Sequence, residues 1–314
     1  MRFTAELMLK ARSPEASLSP ARVAGLARAA EAAGFDAIGF NDHPAPPGSW
    51  VDAGGHDSFD PFSALAFCAA VTTKIRLLPH LVVIPYRNPF LLAKAVATVD
   101  ILSGGRLVLA AGTGYLEGEF DALGVSFAER NAVFDEYIEV MQEALTGGPV
   151  TGRHAGFAAT GQLCLPRPVQ RPRPLLWLGG NSALTRSRVA RYADGWSPLQ
   201  FGEKMASKAR TALIETEEQL AEGIRDVARR MEANGRDPAG LTVQSSSAES
   251  IRAGRNEFHA GEELDRSERL ERIGVSQFVI RLQVDGSQLA EDVIARYGAE
   301  VIASPSTRTR AGRA

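Results

Sequence analysis

Short apolar runs alternate with longer segments of helical period along most of this chain. Phe3 to Leu9 is the first run, and Ser19-Pro20 then supplies an N-cap with proline at the first helical position. The helix that follows is expected to reach Ala33 and stop at Gly34, which tolerates the left-handed conformation of a helix end. Phe35 to Phe40 reads as a buried strand whose C-terminal end delivers Asn41, Asp42 and His43. A Gly/Pro/Asp-rich loop runs from Pro44 to Phe59, a length usual for functional loops. Asp60-Pro61 caps a second helix to about Val71, and Ile75 to Ile84 is the third strand, interrupted by Pro79-His80. Asn88-Pro89 repeats the cap-plus-proline signal for a helix closing at Ser103-Gly104-Gly105, and Leu107 to Ala111 is the fourth strand.

From Glu117 to Pro174 the alternation breaks. This stretch reads as an insertion holding a short helix, an amphipathic helix from Phe127 to Leu145 and a hairpin around Gly152 to Leu165. The alternation resumes at Leu175 to Asn181, where four apolar residues enter Gly179-Gly180 and a helix opens at Asn181-Ser182. Asp194 to Ser197, Leu241 to Gln244 and Gln277 to Val284 complete the strands. Helical segments are expected over Lys204 to Ala233, Arg266 to Arg272 and Gly286 to Tyr297. Eight strands each followed by helix point to an α/β fold, a (β/α)8 TIM barrel in a single domain over 1–303. A doubly wound open sheet is the structural alternative. The polar, Arg-rich residues 304–314 are expected to be disordered.

Composition narrows the partners. With 35 basic and 37 acidic side chains in 314 residues there is no basic footprint for nucleic acid or an anionic membrane. Met1 to Arg12 includes Glu6 and Lys10 and so lacks a secretory apolar core, and no window has the apolar length of a membrane span. Two cysteines, Cys68 and Cys164, far apart, imply a reducing cytoplasm and no disulfide framework. The amphipathic helix Asn88 to Leu102 could pair two copies into a homodimer, although core packing accounts for its apolar face equally well.

In a barrel the chemistry collects at the C-terminal ends of the strands. Asn41, Asp42, His43, His80, Thr113, Tyr115, Gly179, Gly180, Asn181 and Gln200 follow apolar runs there. A strand-turn-helix corner at Gly179, Gly180 and Asn181 would leave backbone N–H groups unpaired beside a helix N-terminus, a place for phosphate; a plain tight corner explains the glycines equally. His43 follows an acid at a strand end and precedes a flexible loop, where an imidazole can exchange a proton near neutral pH. Asp42 could equally cap the loop. His80 follows a proline within a strand, which marks a bulge beside a site or simply a kinked, partly exposed histidine. Gly112-Thr113-Gly114 lacks dinucleotide and Walker spacing and suits close approach of a flat ligand, on which Trp50 and Tyr115 could stack or merely pack. Trp177 is read as core, turned away from the open side of its turn. No lysine is securely at a strand end for Schiff-base chemistry, the five histidines are too scattered for a metal, and Asp42 alone is a secure strand-end carboxylate. That leaves a redox cofactor acting on a small molecule.

Three blocks sharpen this: AAEAAGFDAIGFNDH, then IPYRNPFLLAKAVATVDILSGGRLVLAAGTGYLEGEFDALGV, then PLLWLGGNSALTRSRVARYADGWSP. Together they resemble the bacterial luciferase-like family, nearest to its oxidoreductases that use the deazaflavin coenzyme F420. The resemblance runs from about Phe3 to Pro198 and weakly on to Val284. It implies a (β/α)8 barrel with a variable insertion after strand four. It implies a strand-two histidine, here His43, as proton donor or acceptor, with Asp42 a neighbouring cofactor contact. Thr113 and Gly114 would line the ring system, and Gly179, Gly180 and Asn181 would grip the cofactor phosphate. A non-proline cis peptide within His80 to Val83 is implied, which would place His80, Leu81 and Val82 against the cofactor and leave Trp50 and Tyr115 toward substrate. Where the family's sugar-phosphate dehydrogenases carry a catalytic glutamate this chain has Tyr115; Glu117 or Glu119 would substitute only with a different loop register. The function implied is hydride transfer between the deazaflavin C5 and a small organic substrate. An FMN-dependent monooxygenase of the same family and a non-catalytic flavin- or deazaflavin-binding protein are the alternatives.

Overall fold

The structure is a computed structural model and describes residues 1–10, 12, 18–154 and 156–304. The polar terminus expected to be disordered falls, from 305 on, outside the described residues.

Eight parallel strands form the barrel: β1 Arg2–Lys10, β2 Ala37–Phe40, β3 in two segments Arg76–Pro79 and Val82–Val83, β4 Val108–Gly112, β5 Leu175–Gly179, β6 Gly195–Ser197, β7 Thr242–Ser247 and β8 Gln277–Val284. Hydrogen bonding runs β3–β2–β1–β8–β7–β6–β5–β4. The ring closes where the second segment of β3 pairs with Ala111 and Gly112 and Leu77 bridges Leu107. Parallel neighbours need covered crossovers, and helices supply them: Pro20–Ala33, Pro61–Val71, Pro89–Ser103, Ala183–Tyr192, Glu217–Ala233, Ala260–Arg272 and Leu289–Tyr297 among them.

The local signals act as their chemistry requires. Ser19 accepts from the Arg22 amide, Asp60 from Ser63 and Asn88 from Phe90, each just ahead of a proline. Gly34 and Gly104 end their helices at φ +88° and +69°, conformations that only glycine adopts without strain.

Three elements differ from expectation. The amphipathic helix assigned to the insertion, observed at Arg130–Thr146, packs against Pro89–Ser103 and is a member of the outer ring. Among the described residues the rest of the stretch after β4 holds the helix Glu117–Ala122 and the hairpin Val150–His154 with Phe157–Gln162. The loop from Pro44 to Phe59 carries a short helix, Gly48–Asp52, and a strand, His56–Asp57, that pairs antiparallel with the end of β1. The charged region from Lys204 divides into Glu203–Lys208 and Glu217–Ala233, the second opened by a capping box at Thr216 and Gln219.

Inside the barrel a small apolar layer of Ala37, Leu78, Val108, Ala110 and Trp177 lies beneath polar residues. Trp177 is buried as expected, but it fills the barrel interior on the face that Gly179 shares, not the outside. The main apolar core lies between strands and helices.

Candidate active site

The mouth of the barrel is shaped by its third strand. The peptide between His80 and Leu81 is cis, within the span that the resemblance implied. Leu81 lies over β4 and β5 at points where neither carries a side chain: a Cβ on Gly179 would lie 2.0 Å from Leu81 Cδ1, and one on Gly112 would lie 3.2 Å away. A side chain at 179 would force Leu81 to move and one at 112 would crowd it, so both glycines suit the close approach of Leu81, which forms a floor. Val82 is a ladder residue paired with Ala111 and packs in the core between strands and helices, so it does not face the mouth.

His43, three residues past β2, sits on this floor's β2 side in a polar and aromatic cluster. Its Nδ1 is 3.0 Å from Glu119 Oε2, and the Tyr115 hydroxyl lies 3.4 Å from its Nε2. Glu119 is fully buried and is further held by the Ala45 amide at 3.2 Å and the Tyr86 hydroxyl at 3.2 Å. A carboxylate only accepts, so this contact calls for the His43 N–H on Nδ1, with Nε2 facing the Tyr115 hydroxyl. The Trp50 ring packs 4.8 Å from the imidazole and His56 5.1 Å. Burial, with the neighbouring His43, lowers the His56 pKa to about 4, so His56 is neutral at pH 7. Burial and Glu119 push the Tyr115 hydroxyl up to about 12, keeping its proton in place. Thr113 and Gly114 follow β4 beside this cluster, and Gly114 fits against Val83 and Phe120 at φ +77°.

Asp42 is spent structurally. Its Oδ2 accepts the Val83 amide at 2.9 Å and its carboxylate takes both terminal nitrogens of Arg87, tying β2 to the second segment of β3. His80 is neither exposed nor free: Nδ1 is 3.0 Å from Glu6 Oε1 and Nε2 is 3.1 Å from Ser197 Oγ. Ser197 passes the network to Gln244, and Gln244 and Gln277 both reach Thr4 across the barrel. Glu6 is buried; burial alone would raise its pKa, but Arg281 and His80 outweigh it and hold the carboxyl well below the ordinary range.

The corner after β5 corrects an expectation. Its amides are not bare: Gly180 N donates to Ser197 O at 3.3 Å and Asn181 N to Thr211 Oγ1 at 2.8 Å. Asn181 is fully buried, its side chain bonded to Leu199 and Ala212. A buried amide must find an acceptor, and here the returning chain provides it. Thr211 thus takes the Asn181 amide that the sequence reading leaves for an anion.

Sequence reasoning passed over Glu6, His56, Tyr86, Arg87 and Arg281, and weighed Glu119 only as a stand-in. Glu6 and Arg281 carried a usable signal, being charged residues on faces of β1 and β8 that alternate inward. Tyr86, Arg87 and Glu119 come from outside the strand ends, and only folding brings them to His43 and Asp42. Among the described residues no group of three or more His, Cys, Asp or Glu is placed to hold a metal ion, and no helix is long and apolar enough to cross a membrane.

A model of the luciferase-like monooxygenase family matches residues 3–274. The chain belongs to that family. A relative, the uncharacterised protein y4vJ of Sinorhizobium fredii (strain NBRC 101917 / NGR234), is 32% identical over 163 residues, 51% of this chain and 44% of its own length. This chain thus spans less than half of that relative. An FMNH2-dependent dimethylsulfone monooxygenase of Pseudomonas putida is 28% identical over 128 residues, 40% of this chain and 35% of its own. The fold matches the coenzyme F420-dependent tetrahydromethanopterin reductase of Methanopyrus kandleri with a TM-score of 0.70 at 18% identity, covering 96% of this chain and 98% of that one. Proteins similar to this chain in fold or in sequence thus include an F420-dependent and an FMNH2-dependent enzyme.

Proposed function

We propose that this luciferase-like protein is an oxidoreductase using coenzyme F420, with His43 as proton donor or acceptor toward a small organic substrate. The observation that carries the reading is the His43 imidazole oriented through Nδ1 by a buried carboxylate, with Nε2 beside the Tyr115 hydroxyl at the barrel mouth. When bound, the deazaflavin would supply or accept the hydride at C5. The residues present fit a flat ring: Leu81, backed by Gly112 and Gly179, offers an apolar floor, and His43 stands at its edge. Glu119 fixes the tautomer, and Tyr115, in the place of the glutamate of the sugar-phosphate enzymes, keeps a hydroxyl on the reactive nitrogen. Trp50 and His56 crowd the imidazole and limit water, and much of the rate would come from such positioning. Thr211 would have to leave the Asn181 amide before an anionic tail could reach it.

The FMNH2-dependent relative supports a second reading, a flavin monooxygenase, in which reduced flavin activates oxygen. Deazaflavin is ill-suited to that, because carbon replaces the reactive ring nitrogen. Titrating the purified protein with F420 and with FMN should show tighter binding of F420; preference for FMN overturns the choice. His43→Ala should then cut turnover by roughly 10²–10⁴-fold while cofactor affinity holds, the range expected for a general acid or base. Cofactor binding with no turnover by either protein would leave a non-catalytic carrier.

A further inference from the structure

Arg281 is a charged residue of the barrel interior that the proposed proton transfer does not use. It stands on β8 directly opposite Glu6 of β1 in the ladder, and Glu6 in turn reaches His80 in the barrel interior, so the guanidinium shares that chamber. Its charge is felt at both His56 and Tyr115, which surround His43. Its Nε lies 3.0 Å from Glu6 Oε2, yet neither atom makes a hydrogen bond of acceptable geometry. The pair is held by charge alone and does not lock the fork in place.

Among the described residues the two terminal nitrogens of Arg281 have no hydrogen-bond partner, and the side chain keeps 18% of its surface exposed. The guanidinium lies 5.4 Å from the centre of the Phe201 ring, which leaves its edge available. On the adjacent strand Ser246 lies on the inward face two residues beyond Gln244, and its buried hydroxyl also lacks a partner. A planar fork with free N–H groups is complementary to a carboxylate, which it can bind through two parallel hydrogen bonds.

We propose that Arg281 is the substrate-recognising residue of this mouth and that the substrate carries a carboxylate, held by its terminal nitrogens. The inference rests on the mouth being the substrate site. A carboxylate is favoured over phosphate because Glu6 and Glu119 already place two carboxylates in the chamber, and a dianion would be repelled more strongly than a monoanion. Glu6 therefore acts as a brake on affinity, competing for the same guanidinium.

The test needs neither cofactor nor turnover, so its outcome is separate from that of the F420 reading. Ligand-detected NMR at fixed ionic strength would follow acetate against acetamide, and benzoate against benzamide, with inorganic phosphate alongside. At least one acid should bind the wild type ten-fold or more tighter than its amide. Arg281→Gln should lose that preference, Arg281→Lys should keep part of it, and Glu6→Gln should bind the acid several-fold tighter. The E6Q/R281Q double variant removes both charges without stranding either, and it should show no preference while keeping a native circular dichroism spectrum. Absence of acid binding to the wild type, equal binding of acid and amide, tighter binding of phosphate, or an unchanged preference in the double variant would overturn the proposal.

Discussion

His43 has both ring nitrogens beside protein oxygens, and the two neighbours differ in kind. Glu119 can only accept, so replacing it changes the tautomer control without emptying the pocket. Glu119→Gln should lower kcat by roughly tenfold to a hundredfold and leave the cofactor Kd within about twofold, the signature of a lost positioning contact. Stopped-flow rates beside equilibrium titrations separate these two effects. His56 gives a pH dependence of stability. Its folded pKa is about 4 against an ordinary 6.5, lowered by burial and by His43. Between those values the unfolded chain binds the proton and the native protein does not, so stability is present above about 6.5 and is lost as pH falls toward 4. Urea midpoints at pH 7 and pH 5 should therefore differ more for the wild type than for His56→Gln; equal differences would assign the acid sensitivity elsewhere.

Elements are held together here by close backbone approach as much as by side chains. The helix Ala248–Gly254 ends against β8, where a Cβ on Gly254 would lie 1.7 Å from the Arg281 carbonyl oxygen. Backbone cannot yield as a flexible side chain can. Gly254→Ala should cost at least about 1–3 kcal/mol in urea denaturation, the ordinary cost of overpacking. Because the clash is with the residue that presents the guanidinium, carboxylate binding should weaken too. Gly34 and Gly104 were legible as helix ends because a left-handed residue follows from local chemistry alone. The close packing at Gly112, Gly179 and Gly254 is not legible in the sequence, since Leu81 and Arg281 are distant along the chain.

At the level of the whole molecule, the segment that follows β4 must return to the barrel after its hairpin, and Asp100 makes that connection. Fully buried on the helix Pro89–Ser103, it accepts the amides of Val169 and Gln170 and the Gln170 side chain, which also bonds Leu107 at the start of the fourth strand. Asp100→Ala would leave buried donors without acceptors and should destabilise the protein by about 2–4 kcal/mol. A urea midpoint within error of the wild type would show that this tie carries no weight.

What the chain determines by itself is local: alternation and 3.6-residue periodicity, the proline-marked caps at Ser19, Asp60 and Asn88, and the apolar runs that become strands. These depend on neighbours a few residues apart, so they are readable in order, and the count of strands and helices points to a barrel with an open sheet as the alternative. The tertiary structure alone decided which polar groups meet. Glu119 joins His43 across 76 residues, Glu6 faces Arg281 across nearly the whole chain, and Thr211 takes the Asn181 amide at the glycine turn. A buried polar atom is satisfied by whichever partner folding brings within reach, and the identity of that partner is set by barrel closure, not by spacing along the sequence.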